Sequence, residues 1–134
     1  MKIRKAVLIL AAFVFFMSGC SAEKEEVKLK DIEFTVLQEA DVPEALLKTI
    51  NESKKEAFMT TYQEEGYLYI ARGYGEQNSG GYSIAVNGVY LTESDIVFSS
   101  ELLGPSQQDL VSLVCTYPYI VVKIEFIDKS VIFK

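Results

Sequence analysis

The chain contains no histidine, which removes most catalytic constellations at once. A Ser-His-Asp or Cys-His nucleophile and any His-based metal centre are excluded. Its two cysteines, Cys20 and Cys115, are too few for a Cys-rich zinc or iron–sulfur site. Carboxylates are plentiful, and adjacent Glu64 and Glu65 are of the type that performs acid–base work. They run into Gly66 in a polar turn, where solvated charge is the simpler account. No Walker loop, dinucleotide fingerprint or EF-hand spacing occurs. The expectation is a protein that is not an enzyme and carries no cofactor.

Recognition chemistry is better supplied. Between residues 57 and 122 the only basic residue is Arg72, at the lip of a stretch running from Ala71 to Ser83 that holds four of the eight glycines. Tyr67, Tyr69, Tyr74 and Tyr82 surround it. Tyrosine, arginine and glycine recur on recognition surfaces because they give contact area and adaptable hydrogen bonds. The candidate partner-binding loop is therefore Arg72, Gly73, Tyr74, Gly75, Ser79, Gly80, Gly81 and Tyr82. Its glycines would supply shape, and Arg72, Tyr74 and Tyr82 contact energy. Tyr74, between two glycines, reads as a surface residue. The alternative is a long hairpin loop, with Tyr69 and Tyr82 as half-buried strand residues and Arg72 paired to a nearby carboxylate.

These residues need elements to position them. Tyr67–Arg72 and Tyr82–Asn87 read as strands on either side of the loop, the second with Tyr82, Ile84 and Val86 on one face. Upstream, Ile32, Phe34 and Val36 alternate with polar residues as a half-buried strand. One helix is expected over Asp41–Ala57. Asp41 is placed to be its N-cap, Pro43 fits the first turn and Glu44 completes a capping-box pattern. Leu46, Leu47, Ile50 and Ala57 form its apolar stripe. Phe58–Gln63, Val89–Thr92 and Ile96–Glu101 read as further strands, with a turn at Gln63-Glu64-Glu65-Gly66 and a tight turn or bulge at Asn87-Gly88. Leu110–Thr116 is ambiguous between strand and short helix, with Cys115 expected as a small buried hydrophobe. A last pair, Tyr119–Phe126 and Val131–Phe133, is joined by a turn at Asp128-Lys129. The fold class expected is α+β: a mainly antiparallel, curved sheet or two-layer sandwich with one amphipathic helix packed on it.

The N-terminus has a different character. Lys2, Arg4 and Lys5 precede an unbroken apolar run, Ala6–Met17, too short to span a membrane as a mature helix. The run ends in Met17-Ser18-Gly19-Cys20, which resembles the lipobox of bacterial lipoproteins, with Met17 where leucine is more usual. That resemblance implies a signal peptide at 1–19 and acyl chains, palmitate among them, on Cys20. The mature protein would then be lipid-anchored to a bacterial membrane and face outside the cytoplasm. Residues 20–30 read as a polar tether and 31–134 as a single globular domain. From Cys20 onward there are ten basic and nineteen acidic residues, a formal charge of −9 that argues against nucleic-acid binding.

The loop motif itself carries a second resemblance. A strand ending in Gly73, a polar loop and then Ser79-Gly80-Gly81-Tyr82 opening the next strand is similar to the C-terminal domain of PrcB-type protease-complex subunits. In that family the core motif is Thr-Gly-Gly-Tyr, so Ser79 is a departure that keeps the hydroxyl. Asp41-Val42-Pro43 before the helix and Tyr117-Pro118 before the last long strand follow the same layout, extending the likeness over residues 31–133. The resemblance implies a non-catalytic, lipid-anchored envelope protein that binds and stabilises or regulates an extracytoplasmic protease or another envelope protein. A small β-fold protease inhibitor and a solute- or glycan-binding lipoprotein, with tyrosines as stacking platforms, remain open alternatives.

Overall fold

A computed structural model describes residues 27–134; the expected signal peptide at 1–19 and Cys20 lie outside the described residues. The elements run β1 (Lys30–Asp31), β2 (Thr35–Val36), a 3-10 turn at Glu39–Asp41, α1 (Glu44–Ser53), β3 (Ala57–Glu64), β4 (Tyr67–Tyr74), β5 (Ser83–Leu91), β6 (Asp95–Leu103), β7 (Tyr119–Glu125) and β8 (Ser130–Phe133). They form two four-stranded sheets, ordered β1-β5-β6-β8 and β2-β7-β4-β3. The sheets pack as a sandwich, and α1 covers the outer face of the second. This is the α+β, mainly antiparallel architecture that the alternating strands and single amphipathic segment imply.

Hydrophobic patterning explains the three layers. In β4, Leu68, Tyr69, Ile70 and Ala71 are buried in succession, as expected of a strand covered on both faces. Leu68 and Ile70 point into the inter-sheet core with Val89, Ile96, Phe98, Ile120, Val122 and Ile124. Tyr69 and Ala71 point outward to the second core, where Val42, Leu46 and Ile50 meet Val121. Each fully buried aliphatic or Phe side chain contributes about 1.5–3 kcal/mol relative to leaving it in water. The Phe98 and Phe133 rings meet edge-to-face at 5.7 Å and tie β6 to β8.

Several local expectations are corrected. The helix runs over Glu44–Ser53, not Asp41–Ala57, and Pro43 occupies the N-cap with no side-chain cap hydrogen bond. Asp41 sits in the preceding 3-10 turn, so the capping box does not form. Ala57 is already strand, in register with Tyr74. The alternating run Ile32–Val36 is not one strand: β1 pairs with β5 and β2 with β7, so the chain changes sheet between them. Of the two readings of Asn87-Gly88 the bulge holds, and the strands expected on either side of it are one continuous strand. Glu65 and Gly66 form the β3–β4 turn, both with positive φ (50° and 85°) as in a type I′ hairpin.

The largest correction concerns the last pair of strands. β7 lies between β2 and β4, whereas β8 sits on the edge of the other sheet, parallel to β6. Asp128-Lys129 therefore belongs to a crossover between sheets. The Gly-rich stretch is another crossover, because β4 and β5 never pair and lie in opposite sheets. A long hairpin loop is excluded.

Candidate functional site

Two crossover loops meet at one end of the sandwich. The Gly-rich loop, residues 75–82, leads from β4 into β5; residues 104–118 lead from β6 back to β7. Their backbones interlock. Gln77 and Thr116 exchange main-chain hydrogen bonds at 2.8 and 3.0 Å, and the Gly80 N–H donates to the Ser112 carbonyl at 2.8 Å. The Thr116 hydroxyl donates to the Ser79 carbonyl at 2.7 Å. At the root of the crossover the Tyr74 N–H donates to the Pro118 carbonyl at 3.0 Å and the Glu76 N–H to the Lys55 carbonyl at 3.1 Å. Each bond contributes about 1 kcal/mol net, and together they turn two irregular segments into one built surface.

The Gly-Gly-Tyr motif makes the interlock possible. Gly81 has φ +88°, and a Cβ there would stand 2.7 Å from a Val111 methyl and 2.9 Å from Pro105. Only glycine combines that backbone with that proximity. Val111 is thereby seated against the motif, and the Tyr82 ring covers Gly104. Ser79 donates to the neighbouring Gly80 carbonyl at 3.0 Å. Gly73 is filled from across the hairpin, because the Phe58 ring occupies the space where its Cβ would be. Gly75 rests against the Glu56–Ala57 backbone. The glycines thus serve shape.

Arg72 and Tyr74 have other occupations. Both continue the inward face of β4 to the open end of the sandwich and reach the opposite sheet. Arg72 donates from Nη1 to the main-chain oxygen of Lys134 at 2.7 Å, near Ser100 Oγ at 3.4 Å. The Tyr74 hydroxyl lies 2.6 Å from Ser100 Oγ, and the guanidinium stands 4.9 Å from the Tyr74 ring centroid. Tyr74 is half-buried, not a surface residue. The Arg72 partner is the main-chain oxygen of Lys134 rather than an Asp or Glu side chain; among the described residues the one side-chain ion pair is Lys28–Asp31. These two residues clasp the sheets together.

The four tyrosines do not converge. Tyr69 is buried under α1 and contacts Tyr62 at 6.2 Å. Tyr67 stands at the opposite end of β4, where the Lys123 ammonium lies 4.0 Å from its ring. That end has a cleft of about 820 Å³ whose lining includes Phe34, Tyr67, Lys123 and Phe126.

The 104–118 loop contributes what composition did not single out. Leu110–Thr116 forms neither strand nor helix, and Leu110, Leu113 and Val114 are 101 %, 86 % and 65 % exposed. Cys115 is exposed too, contrary to the expected buried thiol. Its thiol donates to a Glu76 carboxylate oxygen at 3.3 Å. That bond and the carboxylate's charge raise the Cys115 pKa, which makes it a poor nucleophile. An apolar run of this kind gives no periodicity to distinguish a core strand from a bare loop; the absence of strict alternation in Leu-Val-Ser-Leu-Val-Cys was the available signal.

Fold and site define a three-layer α+β sandwich whose built surface is a pair of interlocked crossovers. Among the described residues no three His, Cys, Asp or Glu side chains gather as a metal cage, and no helix is long and apolar enough to cross a membrane. The family model described as PrcB C-terminal matches residues 68–125, a match that supports the PrcB-type family. The matched segment spans β4 to β7, including both loops; Asp41-Val42-Pro43 lies outside it. No curated protein and no solved structure matches the chain.

Proposed function

We propose that this protein is a non-catalytic, lipid-anchored envelope subunit that binds and stabilises or regulates an extracytoplasmic protease. The observation that carries the reading is the PrcB C-terminal match, which takes in both crossovers and supports the resemblance to protease-complex subunits. The surface chemistry agrees with it. The interlocked loops expose Leu110, Leu113 and Val114 among polar residues, which suits a protein partner more than a small ligand. From Gly73 to Val122 there is no lysine or arginine, so this half of the molecule offers no footprint for nucleic acid.

Anchoring is assigned to Cys20, with residues 21–30 as the tether. Residue 29 already bonds to the sandwich, Leu29 N–H to the Leu91 carbonyl at 2.7 Å. Purification of the full chain from detergent-solubilised membranes tests the function directly: a protease identified by its peptides and its casein-hydrolysing activity should co-elute. Its absence from repeated preparations overturns the reading. Cys20→Ser should move the protein from the membrane fraction to the soluble one; a variant that is processed and retained as before rules out the lipid anchor.

A further inference from the structure

The two interlocked loops differ in what they leave uncovered. Leu110, Leu113 and Val114 stand largely in solvent, although burying such side chains is favourable. Their backbone is nevertheless held. The Ser112 carbonyl, between them, accepts from Gly80, Thr116 is bonded to both Gln77 and Ser79, and Val111 is seated against Gly81. On the N-terminal side the Ser106 N–H donates to the Asp109 carboxylate at 2.8 Å and closes a turn. An apolar display on a constrained backbone has part of its ordering cost met before binding.

Three occupants could cover it, and the fold favours one. Chain entry is at the far end of the sandwich, because Lys30 and Asp31 pair with Leu91 and Tyr90 while the loops adjoin Ser83 and Leu103. The length of β5 separates these ends by roughly 27 Å. Residues 20–26 extend at most ~24 Å, so an anchor at Cys20 holds the opposite end towards the bilayer. A second copy would bring identical carboxylates together: Glu76 bonds to Cys115 and Asp109 adjoins Leu110, and neither crossover loop contains a lysine or arginine, the nearby Lys54 lying over Tyr117 at the root of the loop. Like charges across an interface are repulsive. A partner with an apolar pocket rimmed by lysine or arginine meets both the charge and the bare side chains.

We infer, resting on the protease-binding reading, that Leu110, Leu113 and Val114 form the docking element for the protease, which receives them in such a basic-rimmed apolar pocket. The Gly-Gly-Tyr motif then acts as a receiver that holds the docking loop, and Arg72 and Tyr74 act as an internal clasp.

The test is capture from solubilised membranes with the full chain, scored by co-eluting casein-hydrolysing activity and by peptide identification of the protease. Leu113→Asp should lower capture about thirtyfold with an unchanged melting temperature, and Leu113→Ser should lower it less. Glu76→Gln, outside the docking loop but beside Cys115, should weaken capture and reduce its salt sensitivity. Undiminished capture by Leu113→Asp overturns the docking element and leaves the protease-binding reading standing. Absence of any protease with the unaltered chain overturns both. Cys115 gives an independent readout, with Cys115→Ser as the labelling control. An impermeant maleimide should label it in membranes lacking the protease and be excluded when the protease is present. Protection without the protease assigns the loop to the bilayer or to a second copy, against the inference.

Discussion

Residues 75–82 and 104–118 lie side by side and share hydrogen bonds, yet they are built on opposite principles. The first is rich in glycine, and what it exposes is the polar Glu76 and Asn78 and the bare backbone of Gly81, with no exposed apolar side chain. The second has one glycine, Gly104, and carries its apolar side chains into solvent. One receives and the other displays. Motif content and exposed contact area have thus separated: the stretch with the recognisable pattern is structural, and its less patterned neighbour carries the surface. A short motif can persist because a neighbouring segment needs it as a seat.

That contrast can be broken by substitution, and the largest effect should come from the receiver. Gly81→Ala introduces a Cβ at positive φ and 2.7 Å from Val111. Left-handed strain and overpacking together should cost about 2–4 kcal/mol. The melting temperature should fall by about 10 °C or more; a variant that melts within a degree or two would show that the loops are not interlocked in solution.

The clasp should come next. Arg72→Ala removes the charge-assisted bond to the Lys134 main-chain oxygen, which still accepts from the Ser100 N–H at 3.1 Å. A loss of about 1–2 kcal/mol is expected, and about 1 kcal/mol for Tyr74→Phe, read from chemical denaturation. Weaker partner binding by either variant would therefore not by itself identify a contact. If both denature like the parent protein, the clasp has no energetic weight and these side chains return to consideration as contacts.

Leu110→Ser and Leu113→Ser should move stability by less than about 0.5 kcal/mol, since neither side chain is covered. A larger destabilisation would place them in a core and erase the difference between the loops.

The smallest effect is a matter of proton affinity. Glu76 accepts the Cys115 thiol proton and its charge opposes the thiolate, so the thiol pKa is raised. Glu76→Gln removes both influences and should lower that pKa, which makes alkylation at pH 8 faster with little change in melting. Equal alkylation rates would mean that residues 76 and 115 do not meet, and with them one seam between the loops.

Local chemistry was legible in the chain itself. Alternation of Ile120, Val122 and Ile124, the β-rich flanks of the Gly-rich stretch and the one amphipathic segment imply an α+β sandwich because periodicity is a property of neighbours along the chain. The Ser79-Gly80-Gly81-Tyr82 pattern likewise indicated the PrcB-type family, which the family match supports. Partners distant in sequence were not legible. Nothing local distinguishes a Gly-rich hairpin from a Gly-rich crossover, since both need glycine at positive φ. Only the pairing of β4 with β7 decides that residues 75–82 change sheet. The short Val131–Phe133 run similarly reads as a strand, but its parallel place beside β6 depends on which sheet edge remains open. Arg72 and Tyr74 carried the residue types of a contact surface; the opposite sheet, with Ser100 and Lys134, turned them into a clasp. Leu113 and Val114 carried the types of a core, and among the described residues no third layer reaches over that end to bury them. Burial depends on what arrives from elsewhere in the chain, and that is decided by tertiary structure alone.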